Sequence, residues 1–83
     1  MNFDILDCKG KIVRHFKGDL YLILDFAEHT ESEEQMVIYK GLYGDYKVYA
    51  RPLNMFCEEV PADKVNPMKQ KYRFEPIHIE SKK

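Results

Sequence analysis

Leu20 to Glu28 is apolar at both sets of alternate positions, with Leu20, Leu22, Leu24 and Phe26 on one and Tyr21, Ile23 and Ala27 on the other. A turn signal, Lys17-Gly18-Asp19, precedes the run, and a polar acidic stretch, residues 29–34, follows it. So short a run reads as a strand, and one with no polar side suits a strand covered on both faces. The rest of the chain must then wrap around it.

The neighbouring segments carry β signals of their own. Ile12-Val13-Arg14-His15-Phe16, rich in β-branched and aromatic residues, predicts a first strand. Residues 29–34 predict a hairpin tip leading into a strand over residues 35–43. Gly44-Asp45 predicts a two-residue hairpin turn into a fourth strand over residues 46–51, the glycine taking positive φ. Pro52 ends regular pairing because it has no N–H, and Asn54 is the expected cap of a helical turn over residues 55–58. Residues 61–70, broken by Pro67, predict a loop. Tyr72-Arg73-Phe74 alternates again before Pro76 interrupts it near Ile77-His78-Ile79, the pattern of an edge or bulged strand.

Five short strands joined mostly by tight turns predict a mainly β fold: a small five-stranded antiparallel SH3-like barrel with a short 3-10 or α turn and no long helix. An OB barrel fits less well, because the third and fourth strands are joined by Gly44-Asp45 alone. Leu22, Leu24 and Ile38 are expected to point inward, leaving tyrosines and basic groups on one outer wall. Residues 11–80 form the expected single domain, Phe3, Ile5 and Leu6 dock residues 1–10 onto it, and residues 81–83 are a tail. A chain of 83 residues buries only roughly 60 to 65% of its extended surface, so its six Tyr and five Phe, with no Trp, must supply much of the core.

Thirteen basic against 14 acidic side chains leave a net charge of −1, so no whole-molecule field draws the chain to nucleic acid or an anionic membrane. No apolar run approaches the roughly 20 residues needed to cross a bilayer, and Asp4 and Asp7 stand where a signal peptide would be basic and then apolar. The two cysteines, Cys8 and Cys57, lack CxxC spacing and suit free thiols in a reducing compartment. A cytoplasmic protein is expected.

Several segments match a known pattern. Residues 10–18, G-K-I-V-R-H-F-K-G, are followed by Tyr21, by A-E-H-T-E-S at residues 27–32, by V-I-Y-K-G-L-Y-G at residues 37–44 and by R-P-L-N-M-F at residues 51–56. Taken in order, they resemble a bacterial family known as domain of unknown function 1653, and Arg73-Phe74 is similar to its closing strand. The resemblance implies an architecture similar to small SH3-like barrels and no agreed activity. Tyr49 stands where the family pattern is tryptophan-like, and about ten residues precede the motif, the length of a domain prefix.

Two constellations could carry chemistry. Arg14, His15 and Lys17 on the first strand, with Arg51 on the fourth, could converge on a carboxylate or phosphate, or could be solvated rim charges. Alternation sets Arg14 and Phe16 against His15 and Lys17, so at most one pair shares a face with Arg51. Tyr39 and Tyr43 share a face of the third strand and Tyr49 and Arg51 a face of the fourth; tyrosine beside arginine suits a recognition surface and equally an ordinary core and rim. The candidate ligand-binding residues are therefore His15, Lys17, Tyr39, Tyr49 and Arg51.

Cys8, Cys57, His15, His29 and His78 lack zinc-site spacing, so no metal and no cofactor are expected. No nucleophile elbow or phosphate loop is present, and Glu31, Glu33 and Glu34 lie in the most polar stretch, so no catalytic residue is assigned. The expected function is a small non-catalytic binding module for a protein segment or small acidic ligand. The alternatives are a single-stranded RNA-binding barrel, using Lys9, Lys11, Arg14, Lys17, Lys69, Lys71 and Arg73, and an enzyme using His15. Edge strands would allow either a monomer or a homodimer.

Overall fold

The computed structural model describes residues 4–77. The anticipated tail at residues 81–83, the docking of Phe3 and the continuation through His78-Ile79 lie outside them.

Lys17, Gly18 and Asp19 reverse the chain between β1 (Ile12–His15) and β2 (Leu20–Glu28). Gly18 takes a φ of 113°, open to a residue without a Cβ, and its N–H closes the turn on the His15 carbonyl at 2.7 Å. β2 pairs on its other side with β3 (Gln35–Gly41), which pairs with β4 (Val48–Pro52). β1 takes the short β5 (Phe74–Pro76) as its second neighbour, so the order across the sheet is β4-β3-β2-β1-β5, every pair antiparallel. Among the described residues the helical elements are a 3-10 turn, Ile5–Cys8, and α1 (Leu53–Phe56). The fold is mainly β as read from the sequence, with Pro76 on an edge strand.

The covered face differs from the expected one. Leu22, Leu24 and Ile38 are only half-buried, and the core is built on Val13, Tyr21, Ile23, Val37 and Tyr39. Pairing shifts between Ile23, opposite Tyr39, and Asp25, opposite Ile38, so Leu24 is an extra residue in β2. Such a bulge changes which parity points inward. Beyond it Phe26 faces Val37 and packs against the core. The bulge thus accounts for Phe26, whereas Leu20 and Leu22, which precede it, are half-buried on the parity opposite Tyr21 and Ile23. The tyrosine-bearing face is the covered one because Phe56, Phe74, Ile5 and Cys8 cluster over it, and aromatic rings offer the larger area to bury.

A second extra residue sets the register of β4. The Tyr46 N–H reaches the Tyr43 carbonyl at 3.0 Å across Gly44-Asp45. Gly44 has a φ of 56° and Tyr46 one of 54°. A bare two-residue loop would place Tyr39 opposite Ala50. Between the paired Gly41 and Lys47, Leu42 and Tyr43 precede Gly44-Asp45 and Tyr46 alone follows it, so the odd residue lies on the β3 side and Tyr39 pairs with Tyr49 and Val37 with Arg51. β3 and β4 accordingly stop short of the turn, at Gly41 and Val48.

Two local expectations at the helical turns are corrected. Asn54 does not cap α1: Pro52 occupies the N-cap at a φ of −54°, a ring-fixed value that lets the strand pass directly into the turn. Asn54 lies inside α1, where its Oδ1 accepts from Met55 N at 2.9 Å. At the N-terminal end Asp4 Oδ1 accepts from Leu6 N at 3.0 Å. Three residues per 3-10 turn align Ile5 with Cys8, and both are buried while Leu6 is 47% exposed.

Gln70 fastens the loop before β5. Buried at 5% exposure, it accepts from Arg14 Nε at 2.8 Å and donates through Nε2 to the carbonyls of Arg14 at 2.9 Å and Tyr72 at 3.2 Å. Asn66 brackets its backbone, accepting from Gln70 N at 3.0 Å. Replacing Gln70 with Ala leaves those groups without their partner. Urea unfolding should show Gln70→Ala destabilised by about 1 to 3 kcal/mol; an unchanged midpoint would show that the clamp contributes nothing.

Candidate functional site

Alternation along β1 puts Val13 and His15 on the covered face, and β5 sets Phe74 directly opposite His15. From the other end of the sheet, β4 presents Tyr49 and Arg51 on the face that holds Tyr39. β4 and β5 lie at opposite edges in hydrogen-bonding order, yet the sheet curls until their side chains meet. The Arg51 guanidinium carbon is 5.9 Å from the centroid of the Phe74 ring, and Tyr39 and Phe74 centroids are 5.6 Å apart.

His15, Tyr39, Tyr49 and Arg51 therefore belong to one cluster, with Lys17 beside it in the β1–β2 turn. The tyrosines line the open rim of the inner face, where an outer wall was expected. Tyr39 is a core residue at 5% exposure, and Tyr49 is 37% exposed. Arg51 Nε donates to the Tyr39 hydroxyl at 3.3 Å. Among the described residues neither Arg51 nor Lys17 has a carboxylate partner; the ion pairs are Lys9 with Asp25 at 3.3 Å and Arg73 with Glu58 at 3.5 Å. Arg73 Nε makes no hydrogen bond with good geometry, so its link to Glu58 is electrostatic. Arg14, on the opposite face, is held by Gln70 and takes no part.

His15 accepts a hydrogen bond from Lys17 N at Nδ1, 3.1 Å. Its ring packs between Phe16, at 4.4 Å between centroids, and Phe74, at 5.0 Å. Burial lowers its pKa, the cations Lys17, Arg51 and Arg73 lower it further, and Asp19 opposes them. Burial and the Tyr43 hydroxyl raise the pKa of Tyr21 and of Tyr49, so both phenols stay protonated and able to donate.

Tyr21 and Phe74 were absent from the sequence-derived candidates, and Tyr43 was grouped with Tyr39 without being chosen as one. Tyr21 and Tyr43 share a hydroxyl–hydroxyl hydrogen bond of 2.9 Å. Tyr21 was identifiable only as part of a strand whose inward parity was ambiguous. The arrangement offers cationic and hydroxyl donors around an aromatic floor, the chemistry of holding an anion. Among the described residues no group of three or more His, Cys, Asp or Glu could hold a metal ion. Cys8 and Cys57 are free thiols, each with its pKa raised by burial. An open depression of about 450 Å3 lined by Phe26, Ala27, Glu28, Glu33 and Gln35 lies at the far end of the β2–β3 hairpin.

The family described as protein of unknown function (DUF1653) matches residues 11–76. The chain belongs to this family. A crystal structure of a DUF1653 protein from Bordetella bronchiseptica is similar to it, with 29% sequence identity, a TM-score of 0.71, and coverage of 95% of this chain and 100% of that one. Comparison with curated proteins gives no match. The DUF1653 match spans β1 to β5, and so takes in every member of the cluster.

The lowered pKa of His15 makes stability pH-dependent. Its folded state prefers the neutral ring, so this stability is fully present above the unfolded pKa, 6.5, and is lost as pH falls through the folded value. The urea midpoint of the native protein should fall on acidification below that point, and His15→Gln should flatten the part of the fall due to this ring. Parallel pH profiles for the two proteins would contradict it.

Proposed function

We propose that this DUF1653 chain is a small non-catalytic binding module that recognises an acidic ligand or a protein segment at the His15–Arg51 cluster. The observation that carries the reading is Arg51: its guanidinium is fixed by the Tyr39 hydroxyl and the Phe74 ring and has no carboxylate partner among the described residues. A planar cation held by a tyrosine hydroxyl and an aromatic ring suits an anchor of a recognition surface. The same reading takes the curled sheet as SH3-like and the protein as cytoplasmic, in keeping with its free thiols.

Single-stranded RNA is the second reading. It is favoured by Tyr43, Tyr46 and Tyr49, exposed by 43%, 56% and 37%, with Lys40 Nζ 5.9 Å from the Tyr46 ring, since exposed tyrosines beside cations suit base stacking. Its reach is reduced because Lys9, Arg14 and Arg73 already have partners.

Titration of peptide pools into the isotope-labelled protein should move backbone amide signals clustered at His15, Tyr39, Tyr49 and Arg51. Arg51→Gln should weaken the best binder by about tenfold to a hundredfold, the range for losing a hydrogen bond to a charged group. Shifts scattered without a focus would count against recognition here. Affinity for single-stranded RNA that falls steeply with salt would favour the second reading.

A further inference from the structure

We propose that Arg51 and His15 form a fork for a single oxyanion head, carboxylate or phosphate, in which His15 serves as a neutral Nε2–H donor; this rests on the recognition reading above.

The inference starts from which atoms are already engaged. Arg51 Nε is bound to the Tyr39 hydroxyl and the guanidinium lies over Phe74. That fixes the side chain at two points and leaves the two Nη groups without an acceptor among the described residues. The Tyr39 hydroxyl accepts from a cation, so its own O–H is polarised toward donation. His15 Nδ1 accepts from Lys17 N, so the ring proton resides on Nε2. No described residue hydrogen-bonds that nitrogen.

Protonating His15 would place a second proton on Nδ1 and break the bond to the Lys17 amide. The new charge would also face Lys17 from the β1–β2 turn, Arg51 from β4 and Arg73 from the segment before β5, against Asp19 alone among the acids acting on it. Tyr21 of β2, which packs on the ring, is uncharged. His15 thus remains a neutral donor in a cationic surrounding. Two Nη donors, one imidazole N–H and the Lys17 ammonium nearby suit a group with several acceptor oxygens and a full negative charge.

The test uses the full-length protein and three probes: sulfate, whose charge is constant over the range studied, acetate and inorganic phosphate. Imidazole nitrogen shifts should show Nδ1 unprotonated and Nε2 protonated, both free and with sulfate. Sulfate should saturably shift the His15 Nε2 and Arg51 side-chain signals, with affinity changing by less than about threefold between about pH 6.5 and pH 8. His15→Phe should weaken sulfate binding by about tenfold. His15→Gln keeps a neutral N–H donor and should stay within about threefold of the native protein, the amide spectra of both variants serving as the check of folding.

A preference for acetate or for phosphate identifies the head group. Sulfate binding that strengthens more than about tenfold on acidification while His15 becomes imidazolium would overturn the neutral-donor assignment. So would a loss in His15→Gln equal to that in His15→Phe. If no anion shifts His15 and Arg51 while peptide pools do, the fork is wrong and the recognition reading stands; if neither does, both are wrong.

Discussion

The Phe56–Phe74 stack, with ring centroids 4.1 Å apart and planes within 5°, is the contact on which the shape of this small domain depends. A sheet ordered β4-β3-β2-β1-β5 has two edges with no ladder between them, and β5 spans only Phe74–Pro76. Backbone pairing alone would secure so short a strand weakly. Phe74, 3% exposed, instead joins β5 to Phe56 of α1 and to Tyr39 of β3. Burial of such a ring contributes about 1.5 to 3 kcal/mol, and each favourable ring pair adds about 0.5 to 1.5 kcal/mol. These contacts draw the two edges together.

The same ring supports the candidate site. Phe74 meets His15 edge-on and lies beneath Arg51, so a single side chain serves the core on one side and the polar cluster on the other. His15, on β1 next to the β5 edge, and Arg51, on the β4 edge, sit far apart in sequence and across the sheet, and only the curl makes them neighbours. Stability and recognition are thereby coupled: a change that loosens the ring stack also loosens the spacing of the cations.

Much of this was legible in the sequence where local chemistry decides it. Gly18 marked a turn because of its φ, Pro76 marked an edge strand because it lacks an N–H, and alternation correctly separated Arg14 from His15. Within each strand the candidate residues could be grouped by face. Which faces coincide was not legible, because that depends on two inserted residues, Leu24 in β2 and one on the β3 side of the β3–β4 turn at Leu42-Tyr43, and neither announces itself by type. The inward side was misassigned for the same reason. Gln70 was passed over because a glutamine in a Pro-broken loop reads as solvated, and its burial depends on Arg14, distant in the chain. The family match covers the segments of the motif without supplying an activity.

The uneven loop between β3 and β4 has a further consequence for how such a chain can diverge. Most side chains between Leu42 and Lys47 are exposed, so apart from Tyr43, bonded to Tyr21, and Gly44, at positive φ, the loop tolerates exchange of its letters. Losing or gaining one codon there is another matter: β4 would be transposed by one position, carrying Tyr49 and Arg51 to the reverse surface. What inheritance must guard in that loop is its count of residues, together with the glycine at its tip and the Tyr43 hydroxyl.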